Sequence, residues 1–570
     1  MRLFLFCAVA VTAGIVQAQE TAGSAAGPSP SMGFRETYTL SDDLEVPAFP
    51  SKAWFRRHFQ PEVPRVELRP PVRHADYVVD GKLELSLKHY IELVLANNTD
   101  IELSRLNVEQ PKNAITRAAA IFDPLLITRF AATRANSATT DVLAGAASLS
   151  QLNQPWSANY QQTIATGAQI TAGFTGSKNS TNSQFQTFNP AYTSNLVLNF
   201  NQPLLRGRGK QITMLPITLA RSRLRVGEYD FADNVLRLLS LAETAYWNVI
   251  EARENLKVQE KALQLADVSL KRAQRELDLG AISELEIFQP KAVYANADIF
   301  VTQARYRLAQ TEDQLRRQMG ADLDPEIRKL PIVLTETVAV PDDQTEYDKE
   351  ALVQKAMMMR PNIKSDYQSL DVADLQLRQA KNALMPNLVL GGGYTTTGRG
   401  GTFFPRQSVL QTGPIQPIPG GITDAFDQMF GFGFPTYNFS LTLTLPLRDR
   451  RAAADLADAA ISRKREMLNL RNDQQTARLE VLNGINQVEN SRAAVRLAQI
   501  ARDLAQNRVD ADQKRYDLGT ITIFFLLDSQ NALTQAESRL VTESVNYRRA
   551  RLQLMQRTGE LLEERGVILP

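Results

Sequence analysis

From Arg448 to Leu518 the chain contains no proline and a single glycine, Gly484. From Gln211 to Leu279 the only breakers are Pro216 and Gly227. Alanine, leucine, arginine, glutamate and glutamine dominate both segments, and all five are good helix formers. In the first segment Leu256, Leu263, Leu270 and Leu277 recur at seven-residue steps, the spacing of a coiled-coil seam. At 1.5 Å per residue each segment makes a helix roughly 105 Å long. No compact globule needs such a helix; a fibrous coiled coil or a coaxial helical tube does.

The long helices occur twice because the chain is duplicated. Ile101, Ile115, Ala118 and Pro124 match Ile363, Leu377, Ala380 and Pro386 at a constant spacing of 262 residues. Leu265-Ala266, Asp278-Leu279-Gly280, Ile282, Ala297, Leu315 and Gly320 match Leu504-Ala505, Asp517-Leu518-Gly519, Ile521, Ala536, Leu554 and Gly559 at a spacing of 239. Self-similarity in a fixed register marks structural repeats. The drop in spacing puts a longer insert between the matched blocks of the first half. Each half reads as a helix of about 35 residues (roughly 87–122 and 349–384) that ends at a proline, then a stretch rich in Gly, Thr, Asn and Ser. A very long helix, a glycine-containing turn and a shorter helix follow.

The Gly/Thr/Asn stretches alternate with period two, as half-buried strands do. In Tyr437-Asn438-Phe439-Ser440-Leu441-Thr442-Leu443-Thr444-Leu445 every odd position is apolar and every even one polar. Asn195 to Asn201 alternates likewise, with Leu196, Leu198 and Phe200 apolar and Val197 the exception. Pro203 and Pro446 stop these strands. Weaker strands begin after Pro124 and Pro386, and Ala168 to Phe174 lengthens the first hairpin. Strands of about ten residues with one oily face fit a membrane barrel; a water-soluble β-sandwich is the competing reading. Four strands cannot close a barrel alone, and open edges cannot face lipid because unpaired backbone groups there cost several kcal/mol each. If these strands enter a membrane, several chains must therefore pool them.

The N-terminus reads as a secretory signal, residues 1–18, with Arg2, an apolar core from Leu3 to Val16 and a small-residue site before Gln19. That core is too short for a spanning helix. The only cysteine, Cys7, lies inside it, so thiol chemistry is not expected of the mature chain. Residues 19–86, with Pro47, Pro50, Pro61, Pro64, Pro70 and Pro71, read as an extended segment of open role. The first repeat then covers 87–345, the second 346–560, and a tail 561–570. With 64 basic and 62 acidic residues there is no basic excess to suggest a nucleic-acid partner. His58, His74 and His89 are scattered, so neither a metal cluster nor a catalytic triad assembles, and no cofactor is expected. Gly207-Arg208-Gly209-Lys210 lacks phosphate-loop spacing.

The duplicated halves, the strand exit Gln202-Pro203-Leu204-Leu205-Arg206-Gly207, and the paired turns Asp278-Leu279-Gly280-Ala281 and Tyr516-Asp517-Leu518-Gly519-Thr520 together resemble the TolC-type outer-membrane efflux protein family over about residues 87–560. The resemblance implies a mixed α and β membrane fold: a homotrimer whose chains each give four strands to a twelve-stranded transmembrane barrel, continued by a twelve-helix periplasmic tunnel of antiparallel coiled coils. It implies a place in the outer membrane of a Gram-negative, diderm bacterium, extending into the periplasm. It also implies docking onto a periplasmic adaptor (membrane fusion) protein and an inner-membrane pump. Tyr437, Phe439, Leu441, Leu443, Leu445, Leu196, Leu198 and Phe200 would then face outer-membrane lipid.

The resemblance makes Leu279, Gly280, Ala281, Leu518, Gly519 and Thr520 adaptor-docking candidates; a plain helix-ending glycine serves equally at each turn. It makes Asp528 a pore-ring aspartate at the tip. The companion position three residues earlier holds Phe525, which points to an apolar constriction that gates by dewetting. The run Ile523-Phe524-Phe525-Leu526-Leu527 can instead pack inside the bundle, a reading favoured for Phe524, Leu526 and Leu527. Glu286 and Tyr516 match an acid and a tyrosine that link neighbouring helices in the closed state, although the link's arginine is Ile521 here. Glu286 also reads as the end of a capping box starting at Ser283, and that reading carries slightly more weight. The function implied is a passive exit duct for small molecules (drugs, toxic compounds or metal ions) in a tripartite pump. The alternatives are the outlet of a type I protein secretion system and, in another class, a structural coiled coil or trimeric adhesin.

Overall fold

A computed structural model describes residues 72–139, 146–184, 186–339, 346–405 and 415–568. The expected signal segment and most of the proline-rich segment lie outside the described residues.

Each half opens with helix. In the first, α1 (Leu87–Asn97) leads into α2 (Thr99–Ala119). Two strands of a small sheet, β1 (Val78–Val79) and β2 (Lys82–Leu85), precede them. The continuous 35-residue helix expected here is thus two helices, and the second half breaks in the same way into α5 (Lys349–Met359) and α6 (Pro361–Ala383). The spacing of 262 carries over to the break, Leu87 to Lys349 and Asn97 to Met359. The cause differs between halves. Asn98 caps α2 by accepting from the backbone N–H groups of Asp100 and Ile101, which ends the preceding ladder. Arg360 precedes Pro361, whose ring disfavours the helical conformation one residue upstream.

The two long helices are α3 (Leu215–Asp278), with 64 residues, and α8 (Arg450–Asp517), with 68. At 1.5 Å per residue they run roughly 96 and 102 Å. Each doubles back as an antiparallel coil, onto α4 (Phe288–Gln318) and α9 (Ile523–Thr558) respectively. The seam of α3 is not leucine alone. Ala266 and Ala273 are buried between the half-buried heptad leucines and Ala252 one turn before them, and such small residues let the partner helix come close. Cross-repeat ties hold the coils side by side: Arg549 donates to Asn248 and Glu251, and Arg565 grips the buried Glu243 at 2.7 and 3.1 Å. Near the middle of the bundle β2 pairs in parallel with β8 (Ile332–Leu334). Leu83, Leu85, Tyr90 and Met319 pack there around the fully buried Tyr246, whose hydroxyl donates to Leu85 O and Glu336.

One acidic cluster in the bundle carries a pH dependence. Asp366 of α6 has its carboxyl pushed up to about 7, by burial first and then by Asp473 of α8, with Glu466 and Asp230 adding to it. A raised folded-state pKa contributes stability at low pH that is lost as pH rises through 7. Asp366→Asn removes that loss. Its melting temperature should therefore exceed the parent's by a few degrees at pH 8 and converge with it only below about pH 4, where the unfolded chain's carboxyl is protonated too; no divergence with pH in thermal melts would refute this.

The second sheet runs in the order β10-β9-β7-β6-β5-β3, with β4 also on β5. Its strands are β3 (Leu125–Phe130), β4 (Thr133–Ala138), β5 (Ser148–Thr163), β6 (Gln169–Thr181), β7 (Phe188–Pro203), β9 (Asn387–Phe403) and β10 (Pro435–Thr444). β3 and β4 succeed one another along the same edge of β5, so the sheet is six strand positions wide. The expected count of four per chain is corrected by the hairpin β5–β6. Between Pro124 and Pro203 the repeat spacing falls from 262 to 243 (Pro203 to Pro446), so most of the first half's insert is this hairpin. Its pattern is hard to read because Gln154, Ala158 and Gln162 dilute its apolar face and Pro155 stands in mid-strand.

Residues opposite each other across antiparallel strands share a face. The register Leu126↔Tyr160, Tyr160↔Ala172, Ala172↔Leu198, Leu198↔Tyr394 and Tyr394↔Tyr437 therefore puts all six residues on one oily face. Asn159, Gly173, Asn199, Gly393 and Asn438 share the other, polar one, and Val197 is the apolar intruder there. Between β9 and β10 the polar face is the crowded one. A Cβ on Gly393 would press on Asn438 at 2.2 Å, whereas one on Gly392, on the oily side, would meet nothing. Crowding on the polar side is what inward curvature toward that side produces. At the end farthest from the long helices, α7 (Ile422–Phe430) lies on the oily face. Its Phe426 and Phe430 meet Trp156 and Phe174 with their rings tilted by 56° and 55°. Gly398 leaves room for it, since a Cβ there would sit 1.8 Å from Ala425 O.

Candidate functional site

The far ends of α3 and α8 are built alike, as their shared spacing of 239 requires. After α3, Gly280 N donates to Leu277 O at 2.9 Å and Ala281 N to Glu276 O at 2.7 Å. After α8, Gly519 N donates to Tyr516 O and Thr520 N to Arg515 O, both at 2.9 Å. This paired pattern closes a helix through a left-handed residue, where glycine avoids the Cβ penalty. Gly280 has φ +74° and Gly519 φ +71°. The closure turns Leu279 and Leu518 outward, 83% and 79% exposed. Each tip thus presents an exposed leucine beside glycine backbone.

The two tips are tied to each other. Tyr516 Oη donates to Glu276 Oε2 at 2.7 Å. Arg272 donates to Glu276 at 2.9 Å and to Asp517 at 2.7 Å, and its guanidinium lies 4.6 Å from the centre of the Tyr516 ring. Burial first, then Glu276, raises the Tyr516 phenol to about 12, so it stays a donor at any physiological pH. The hydrogen bond from Arg272 holds Asp517 below the usual carboxylate range. Beneath this polar tie, Ala273, Ile287, Ile523 and Leu527 form a small apolar cluster, with Leu270, Leu277, Ile282 and Tyr516 against it.

The resemblance groups Glu286 with Tyr516 as residues that link neighbouring helices; within this chain Tyr516 meets a different acid. Glu286 is exposed and lies in a turn before α4, and Tyr516 bonds Glu276 instead. The capping box does not form either: α4 starts at Phe288, and Ile287 provides no side-chain cap. Pro290 explains the late start, because proline is tolerated only in a helix's first turn. Arg272 and Glu276 were missed in the sequence. Their signal was available: they are an i, i+4 pair in the last turns of α3, and Tyr516 is the repeat counterpart of Leu277 beside them.

Leu526 and Leu527 are buried in the bundle, whereas Phe524 is half-exposed, against the reading that placed it inside. Phe524 and Phe525 meet edge to face, 5.7 Å between ring centres. Asp528 is exposed and is held by Arg508 of α8 at 3.0 Å, so its charge is countered within the chain. The strand residues Tyr437, Phe439, Leu441 and Leu443 are all more than half exposed on the oily face, with Leu445 just past β10. Leu196, Leu198 and Phe200 stand on the same face of β7.

Comparison with known proteins bears on this arrangement. The profile described as "Outer membrane efflux protein" matches residues 169–321 and 352–560. The outer membrane protein TolC of Vibrio cholerae is 23% identical over 64% of this chain and 77% of its own. The pyoverdine export outer membrane protein OpmQ of Pseudomonas aeruginosa is 23% identical over 72% of this chain and 76% of its own. Among solved structures, the Campylobacter jejuni CmeC outer membrane channel superposes with a TM-score of 0.57 at 16% identity, covering 88% of this chain and 94% of that one. The open state of the Neisseria gonorrhoeae MtrE outer membrane channel gives 0.56 at 15% identity, covering 83% and 89%.

Proposed function

The chain belongs to the outer membrane efflux protein family, and from that premise we propose that three copies close one barrel and one tunnel as the exit duct of a tripartite efflux system. The protein is an outer-membrane channel that extends into the periplasm. One observation carries the proposal. Among the described residues the sheet has a continuous oily face and two unpaired edges, β3/β4 and β10. Lipid cannot satisfy those edges, so neighbouring chains must. Phe524 and Phe525 then supply an apolar constriction near the tip, and the Arg272–Glu276–Tyr516–Asp517 tie holds the two coils of each chain together while the duct is closed. The cargo is small molecules driven by an inner-membrane pump, and the duct itself does no chemistry. In planar bilayers the purified protein should form discrete pores. Their absence, even with the tip tie removed by mutation, would sink the channel reading.

The exposed leucines at both tips fit an adaptor protein's apolar hairpin end. Leu279→Cys and Leu518→Cys, placed in a mature chain without other cysteines, should each crosslink to one periplasmic partner in intact cells. A cysteine at Val268, also exposed but away from the tips, should not. Equal crosslinking at all three sites would remove the docking assignment.

A further inference from the structure

The hairpin that the second repeat lacks is built into the wall of the sheet. β5 pairs with β6 from Gln151↔Thr181 to Thr163↔Gln169, and β6 with β7 from Gln169↔Asn201 to Asn179↔Ala191, without a break. Trp156, Tyr160, Ile170 and Phe174 continue the oily face. The turn between β5 and β6 sits against the junction of strand and long helix: Gly209 N donates to Thr166 O at 3.0 Å, and a Cβ on Gly167 would sit 2.6 Å from Gly207 O. A hairpin added there keeps β3 and β7 antiparallel, so the up-and-down order survives.

We infer that each chain contributes six strands, so that the three chains of the proposed duct close an eighteen-stranded barrel, wide enough for bulkier hydrophilic solutes than a twelve-stranded one. The inference rests on the three-copy reading above. Six strands 4.8 Å apart and tilted by about 40° take up roughly 37 Å of circumference. The four helices joined to this sheet, α2, α3, α6 and α8, take up roughly 38 Å side by side at about 9.5 Å each. The two widths agree, so the membrane wall continues the tunnel wall at one bore. Four strands would span only roughly 25 Å and would narrow it. Eighteen strands close at a backbone diameter of roughly 36 Å, and twelve at roughly 24 Å. The polar face keeps that width open, because Asn159, Gly173, Asn199, Gly391, Gly393 and Asn438 are short.

Single-particle imaging of the full-length complex extracted in detergent counts chains and strands together. Three chains around eighteen strands is the expected result. Three chains around twelve strands, with β5–β6 outside the wall, would overturn the inference and leave the three-copy reading standing. Two chains closing twelve strands would overturn the three-copy reading itself. A second readout uses neutral polyethylene glycol added on the extracellular side of a bilayer. A variant lacking residues 146–184 should exclude polymers that the parent admits, with the limiting diameter falling by about a third. An unchanged limit in an assembled variant counts against the inference.

Discussion

Tyr516→Phe should open the duct. The substitution keeps the ring beneath the Arg272 guanidinium and removes only the hydrogen bond to Glu276. A bond to a carboxylate contributes about 1.5 kcal/mol at a half-exposed site, the lower end of its range because water competes. If three chains open together, the loss sums to roughly 4–5 kcal/mol, and the open-to-closed ratio rises by about three decades. In planar bilayers the variant should spend most of its time in a high-conductance state that the parent visits rarely. Arg272→Ala should act in the same direction, since it removes two carboxylate contacts and the ring contact at once. Glu286→Gln should leave conductance unchanged, because Glu286 takes no part in the tie. A Tyr516→Phe channel that gates like the parent would show that closure is held elsewhere, with Phe524 and Phe525 the next residues to test.

Leu441→Arg should abolish assembly in the outer membrane. Leu441 sits in the middle of β10 on the oily face, opposite Leu390 of β9. An arginine facing lipid at mid-membrane costs about 2–4 kcal/mol, and each chain of the barrel bears it. Thr442→Arg is the control, one residue along and facing the polar side. It should insert normally and shift ion selectivity toward anions. Fractionation of membranes, with and without detergent, reads both. Normal insertion of Leu441→Arg, with Thr442→Arg impaired, would mean that the two faces of the sheet are exchanged.

The legible parts of this protein are those where a local period is uninterrupted. The strand Tyr437 to Leu445 alternates without exception, and its face could be read residue by residue. The breaker-free helices were legible for the same reason, as were the two tip glycines, which recur at one spacing. Where local signals conflict, the reading failed. Pro155 and three weak apolar positions hid β5 and so the width of the sheet. Asn98 and Pro361 each split a helix that its amphipathic pattern would have run through. Pro290 delayed α4 and undid the capping box at Ser283.

Taken alone, the sequence determined the class of object: duplicated halves, helices too long for a globule, and strands with one oily face. Helix propensity and periodicity are local properties, and a chain carries them wherever it goes. Only the tertiary structure decided which charged side chains meet. Arg272, Glu276, Tyr516 and Asp517 come from two helices about 240 residues apart in the chain. Ionic pairing reaches only a few ångströms, so their contact depends on how two long coils are set side by side. The same holds for Arg508 beside Asp528, which leaves the tip less acidic than its aspartate alone implies. It holds too for the six-strand wall, which exists only because β5 and β6 find their register between β3 and β7.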